Sequence, residues 1–238
     1  DGYQQKEFSP VEIAGMCINQ VERMDPSYRA WVNFDRQTLL EQAKDLEARL
    51  GLGQSCRLLE GIPVGVKDIF NTAEFPTQMG SPLWTGFTPG NDARSVFHIK
   101  RAGGFIAGKT ESAEFGVHAL GKTLNPHDSL RTPGTSSSGS AVAVATGMVP
   151  IALATQTAAS IVRPASFCGV YGCKPSFGVI PRTGVLKTTD SLDTVGFFTT
   201  HLEDLERAFD VLRVQGPNYP IAHAAFTDTV RQSKPSNR

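Results

Sequence analysis

Four serine hydroxyls crowd into five positions, Ser136, Ser137, Ser138 and Ser140, inside the segment Thr132-Pro133-Gly134-Thr135-Ser136-Ser137-Ser138-Gly139-Ser140. The neighbouring side chains are small, so backbone amides at this predicted helix start can approach a ligand closely. A second segment, Thr155-Gln156-Thr157-Ala158-Ala159-Ser160-Ile161-Val162-Arg163-Pro164-Ala165, reads as a strand entering a tight turn, with Ser160 at the start of a helix. Amides just before such a serine can converge on the oxyanion of a tetrahedral intermediate. The third feature is Lys67, which ends a predicted strand of valine and glycine. A buried amine there can lose its proton near neutral pH and act as a base. Each feature also has an ordinary reading. Serines are preferred helix caps, and a lysine at a strand end usually reaches solvent or pairs with a carboxylate such as Asp68.

The elements that must position these residues alternate. Ser9-Pro10-Val11-Glu12 has the cap, first-turn proline and capping-box glutamate of a helix start. Val11, Ala14, Ile18 and Val21 then share one face. A second helix is expected over about 37–50, stopped by Gly51 and Gly53. The segment 61–68 reads as a short buried strand. A Gly/Pro/Thr-rich loop, a helix over 92–102 and a strand at Phe105-Ile106-Ala107 follow. The stretch 122–135 has no period and reads as a loop. A helix of small residues is expected over 140–146, closed by Gly147, then a strand over 149–155 and a short helix over 160–168. Thr200-His201-Leu202-Glu203 reads as another capping box. Alternating strands and helices predict an α/β class with a mixed, mostly parallel central sheet flanked by helices. Residues 1–60 are expected to form an N-terminal helical region and 61–214 the core. Residues 215–238 have the composition of a linker or the start of a further part.

Bulk properties set the limits. With 238 residues, 40% of them hydrophobic, the chain can bury a substantial core as one or two domains. The 23 basic and 23 acidic side chains balance, which gives no overall field for nucleic acid or a membrane surface. Cys17, Cys56, Cys168 and Cys173 show no zinc spacing and are expected as free thiols in a reducing compartment. None of the five histidines, His98, His118, His127, His201 and His223, has metal-ligand spacing. The apolar stretch 141–154 is broken by Gly147 and Pro150 and is not expected to span a membrane. The polar opening Asp1-Gly2-Tyr3-Gln4-Gln5 is not a secretory signal, so the expected location is cytoplasmic.

Taken together, the three chemical segments resemble the amidase signature family. The resemblance covers roughly 61–198. Gly-Ile-Pro-Val-Gly-Val-Lys-Asp resembles the segment presenting that family's catalytic lysine, here Lys67. Pro133 to Ser140 resembles the signature itself, whose bridging serine follows a cis peptide bond; that position is Ser136. Ala154 to Ser160 resembles the segment carrying the nucleophile, here Ser160, 24 positions after Ser136. Gly172-Cys173-Lys174-Pro175 and Ser191-Leu192-Asp193-Thr194-Val195-Gly196 also fit. The resemblance implies that neutral Lys67 takes a proton from Ser136, Ser136 takes one from Ser160, and Ser160 forms an acyl-enzyme with a carboxamide. It further implies an oxyanion hole from the amides of Thr157, Ala158, Ala159 and Ser160, a supporting Ser137, and substrate-facing backbone at Met79, Gly80 and Ser81. No cofactor and no metal are implied. The expected partner is a small-molecule amide; a homodimer is compatible with this reading, and nucleic acid and membrane are not expected.

Two positions depart from the pattern: Ala159 and Thr135 stand where the family usually has glycine. A positive φ at Ala159 would cost about 1–2 kcal/mol and displace an oxyanion donor. Gln156 stands where many relatives have aspartate; with Ser138 it points towards small-molecule amidases and away from the tRNA-dependent amidotransferase subunit. Family domains are much longer, so a fragment is expected. Three other readings stay open. A non-catalytic relative would bind a ligand or partner on the same scaffold. An amidotransferase subunit would act on aminoacyl-tRNA. Gly103-Gly104-Phe105-Ile106-Ala107-Gly108-Lys109-Thr110 also matches the phosphate-loop pattern of nucleotide-binding proteins.

Overall fold

The computed structural model describes residues 2–5, 7–117 and 119–215. His118, His223 and the expected linker from 216 onward lie outside these residues. The helices are α1 (Gly2–Gln5), α2 (Pro10–Tyr28), α3 (Arg36–Gly51), α4 (Arg94–Arg101), α5 (Ser138–Ala145), α6 (Val162–Cys168) and α7 (Leu202–Leu212). The strands are β1 (Trp31–Phe34), β2 (Pro63–Lys67), β3 (Phe105–Thr110), β4 (Ile151–Gln156), β5 (Tyr171–Cys173) and β6 (Thr194–Thr199). They form a six-stranded sheet in the order β1-β3-β2-β4-β6-β5. The central pairings, β3 with β2 and β2 with β4, are parallel. β1, β6 and β5 join through antiparallel pairings, so four of the six strands run in one direction. The class is therefore the expected mixed α/β sheet with flanking helices.

The sheet is buried on both faces, and strand alternation sorts its side chains between two cores. Ala152 and Ala154 of β4 pack with Ala141, Val142, Ala143 and Val144 of α5 and with Ala14, Ile18 and Val21 of α2. Ile151 and Leu153 face the other way, with Val64 and Val66 of β2, Val96 and Ile99 of α4 and Ala208 and Leu212 of α7. Hence Gly65 and Lys67, which alternate with those valines, face α5. This helix can lie against the sheet because its residues are small. A side chain at Gly139 would strike the Ala30 carbonyl and the Glu111 backbone.

Local signals held where they were strong. Ser9 caps α2 with the full capping box; α3 begins at Arg36, where Asp35, a cap not singled out from the sequence, holds the amides of Gln37 and Thr38. Others are corrected. α4 starts at Arg94, because the Asp92 carboxylate is taken by the Ala73 amide and Lys100. β3 runs on through Gly108 and Lys109 to Thr110. α7 is preceded by His201 and has no side-chain cap, so the Thr200 capping box does not form.

Candidate active site

Lys67 is fully buried at the end of β2. Its Nζ lies 2.7 Å from Ser136 Oγ, 3.0 Å from Ser137 Oγ and 3.0 Å from Thr155 Oγ1. No carboxylate forms an ion pair with it among the described residues. Asp68, the partner that the ordinary reading offered, points to the opposite face and pairs with Lys109 at 3.0 Å. Burial pulls the Lys67 pKa down to about 7, and the more distant charge of Asp193 opposes that shift. An amine with this pKa is substantially neutral at neutral pH, with a lone pair to offer.

The serines that reach Lys67 come from the turn before α5. The Thr135–Ser136 peptide bond is cis, as the resemblance implied. Gly134 takes φ of 82° where a side chain would run into the Pro164 backbone, so the signature turn lies directly on α6. The Ser136 carbonyl accepts from the Ala113 amide. Ser137 Oγ donates to the Thr155 carbonyl at 3.1 Å. No side chain caps α5, so Ser136 and Ser137 serve the lysine and do not act as caps. Ser140 joins Thr110 and the Leu153 carbonyl, whereas the buried Ser138 hydroxyl has no hydrogen-bond partner among the described residues.

Ser160 follows β4 by four residues and is half-buried. The residue preceding α6 is Ile161, and the Ser160 side chain makes no capping hydrogen bond to the helix, so the cap reading of Ser160 fails as well. Gln156 shapes this loop. Its Oε1 accepts from the Ile161 and Val162 amides, both at 2.9 Å, and its Nε2 donates to the Ala158 carbonyl at 3.0 Å. The glutamine therefore caps α6 from within β4. The amides of Ala158, Ala159 and Ser160 have no protein acceptor among the described residues. Ala159 and Thr135 do not have positive φ; among the described non-glycine residues only Arg29, Met79 and Phe115 do. The two departures from glycine therefore carry no left-handed backbone penalty.

One expectation is not met. Lys67 and Ser136 are joined, but no hydrogen bond links Ser160 to Ser136, so the chain of three is not continuous in this state. The sequence reading also overlooked Thr155, a direct partner of Lys67. Its position two residues before Thr157, at the mouth of β4, was the available signal.

Met79, Gly80 and Ser81 form a turn fastened to the site. The Met79 amide donates to the Asp68 carbonyl, and its carbonyl accepts from the Phe115 amide. Ser81 Oγ donates to Glu114 Oε1 at 2.7 Å. Next to them, a Cβ at Gly116 would sit 3.9 Å from Ser136 Oγ. The phosphate-loop reading is overturned. Gly103 and Gly104 follow α4, Lys109 and Thr110 lie within β3, and Lys109 is buried in its ion pair with Asp68. Among the described residues no group of His, Cys, Asp and Glu could hold a metal, and no helix is long and apolar enough to cross a membrane.

This buried amine among serines on a mixed α/β sheet places the chain in the Amidase family, whose family model matches residues 12–237. The chain is 38% identical over 205 residues to a glutamyl-tRNA(Gln) amidotransferase subunit of Synechococcus sp., a match covering 84% of this chain and 43% of that protein. It is 34% identical to the same-named protein from Alkaliphilus metalliredigens, over 91% of this chain and 45% of that one. Among solved structures, peptide amidase from Stenotrophomonas maltophilia superposes with a TM-score of 0.85 at 28% identity, covering 100% of this chain and 49% of that chain. A bacterial aryl acylamidase of the amidase signature family gives 0.81 at 27% identity, over 92% and 47%. The chain thus spans less than half the length of the curated relatives it matches.

Proposed function

We propose that the protein hydrolyses the carbon–nitrogen bond of a small carboxamide through Lys67, Ser136 and Ser160. The observation that carries this reading is the fully buried Lys67 amine bonded to Ser136. A neutral amine has two N–H donors and one lone pair. Ser137 gives its own proton to the Thr155 carbonyl, so it can only accept from Lys67. With Thr155 Oγ1 as the second acceptor, the lone pair faces Ser136, the shortest of the three contacts. Ser136 then passes its proton to Lys67 as it receives one from Ser160. The Ser160 oxygen attacks the carbonyl carbon, and the oxyanion is met by the amides of the 157–160 loop. The proton returns along the same path to the leaving nitrogen as the C–N bond breaks. Water then cleaves the acyl-enzyme by the reverse relay. The Ser160 side chain must turn towards Ser136 for the first step; such bonds often tighten only with substrate bound. The turn at Met79, Gly80 and Ser81, fastened to the Phe115 backbone, is assigned to the wall of the acyl pocket. Cytoplasmic location belongs to this reading too, with a small amide as the partner.

A serine-reactive fluorophosphonate tests it. Labelling that disappears in Ser160→Ala is expected. Absence of labelling under conditions that label a peptide amidase would overturn the reading in favour of a non-catalytic relative. One observation favours a second reading, an amidotransferase component: the 38% identity to proteins of that name. Ammonia release from glutamine in preference to simple amides would establish it.

A further inference from the structure

Asp193 is the residue just before β6. The pairing of Thr194 with Gln156 puts it beside the point where the nucleophile loop leaves β4. Its carboxylate is almost fully enclosed, with 7% of the residue exposed. Thr157 Oγ1 donates to Oδ1 at 2.5 Å. The Thr188 and Thr189 amides donate to Oδ2 at 2.5 and 2.9 Å. The Thr188 and Thr189 hydroxyls lie 3.0 and 3.1 Å from Oδ1. No lysine, arginine or histidine pairs with it among the described residues. A carboxylate held by hydroxyls and amides alone keeps its whole negative charge, and that charge must act on something nearby.

The short segment 155–157 links this carboxylate to Lys67, which also lacks an ion-pair partner among the described residues. Thr155 accepts from Lys67, and Thr157 donates to Asp193. Two residues of chain span at most about 7 Å between their Cα atoms, so these two contacts are close neighbours. The other charges near β2 do not fill this role. Asp68 and Lys109 face the opposite core and cancel each other. Glu111 lies just beyond β3. α5, β4 and β6 carry no charged side chain.

We propose that Asp193 is a positioning residue of this site, which ties Thr157, the first residue of the nucleophile loop, to the sheet and supplies a fixed negative charge near Lys67. Burial works against its ionisation, yet the Thr157 hydroxyl and the Thr189 and Thr188 amides hold its pKa at about 2, so the charge persists at every working pH. That charge opposes the burial that pulls Lys67 down to about 7. Asp193 would then keep the base near neutrality and stop it from titrating still lower.

The role of Asp193 rests on Lys67 as the base, but its test does not need turnover. The titration midpoint of Lys67 is read from its side-chain Hε and Cε NMR signals in the full chain, assigned with Lys67→Arg. Asp193→Asn is expected to lower the midpoint by about one pH unit. Thr157→Val, which leaves the carboxylate in place, should not move it, although fluorophosphonate labelling of Ser160 should slow about tenfold. If Asp193→Asn does not fold, Asp193→Ser removes the same charge with less bulk. Equal midpoints in the wild type and a folded charge-free variant would overturn the inference. Failure of the wild type to label would sink the Ser160 reading alone, because the Lys67 midpoint still decides the role of Asp193.

Discussion

Lys67 and Lys109 sit on adjacent parallel strands and are equally shielded from water. They face opposite sides of the sheet and keep different company. Lys67 meets the three hydroxyls of Ser136, Ser137 and Thr155. Lys109 meets the Asp68 carboxylate, the Phe70 and Pro76 carbonyls and the Thr77 hydroxyl. Burial lowers the pKa of both amines, but at Lys109 the carboxylate beside it opposes the shift at contact distance. One lysine is thereby free to be a neutral base, and the other is a structural cation. Burial alone does not decide whether a lysine keeps its charge; the charge of its immediate partner decides. Asp68 also holds the Gln78 and Gly80 amides, so the structural lysine fastens the turn at Met79, Gly80 and Ser81.

The largest expected effects break the two lysines in opposite ways. Lys67→Met should slow Ser160 labelling and any amide turnover by about a thousandfold or more, within the range of lost general-base catalysis. Lys67→Arg should do the same, since a guanidinium stays charged. Lys109→Met leaves a buried carboxylate without its cation and should cost about 3–5 kcal/mol of stability. Urea unfolding would measure that loss, and Asp68→Asn added to Lys109→Met should recover much of it. A Lys109→Met protein of unchanged stability would show that the ion pair is not what holds the 76–81 turn.

The same comparison predicts a smaller effect of opposite sign. The folded-state pKa of Lys67, about 7, lies well below the usual value for a lysine. Above about pH 11 the amine is neutral whether the chain is folded or not. As pH falls towards 7, the unfolded chain takes up a proton that the folded chain refuses, so folding stability declines. Below 7 both states are protonated and this dependence ends. Lys67→Met should therefore stabilise the protein at pH 7 by about 1–3 kcal/mol, after allowance for three lost hydrogen bonds. Thermal melts should show this gain shrinking as pH rises towards 10. Labelling of the wild type should increase with pH through about 7, as Lys67 becomes able to accept a proton.

Much of this site could be read from the chain because its motifs are local. Pro133 to Ser140 runs from a turn into α5 and Ala154 to Ser160 from β4 into a turn; each is one short continuous segment, and their separation carries the match. What was not legible depends on distant segments. Trp31–Phe34 is only four residues long and is a strand because β3 lies beside it. Tyr171–Cys173 depends on β6 in the same way. Asp193 stood inside a segment already singled out, but its work requires Thr157 and Thr188 to fold onto it. Ser136, Ser137 and Ser160, for which a cap was the ordinary reading, are not caps, because Lys67 and Gln156 supply partners for those turns.

The smallest predicted effect concerns the position that most invited doubt. A glycine at 159 would matter if the loop needed a left-handed residue to aim its amides. Ala159 does not have positive φ, so the loop reaches its shape with an ordinary residue. Gln156 fixes that shape from both sides, through the Ala158 carbonyl and the Ile161 and Val162 amides. Ala159→Gly should therefore change the labelling rate less than about threefold, and it should lower stability by up to about 1 kcal/mol, because glycine is freer in the unfolded chain. A tenfold faster reaction in Ala159→Gly would mean that the alanine holds the oxyanion amides away from their target, and that clamping by Gln156 does not suffice to aim them.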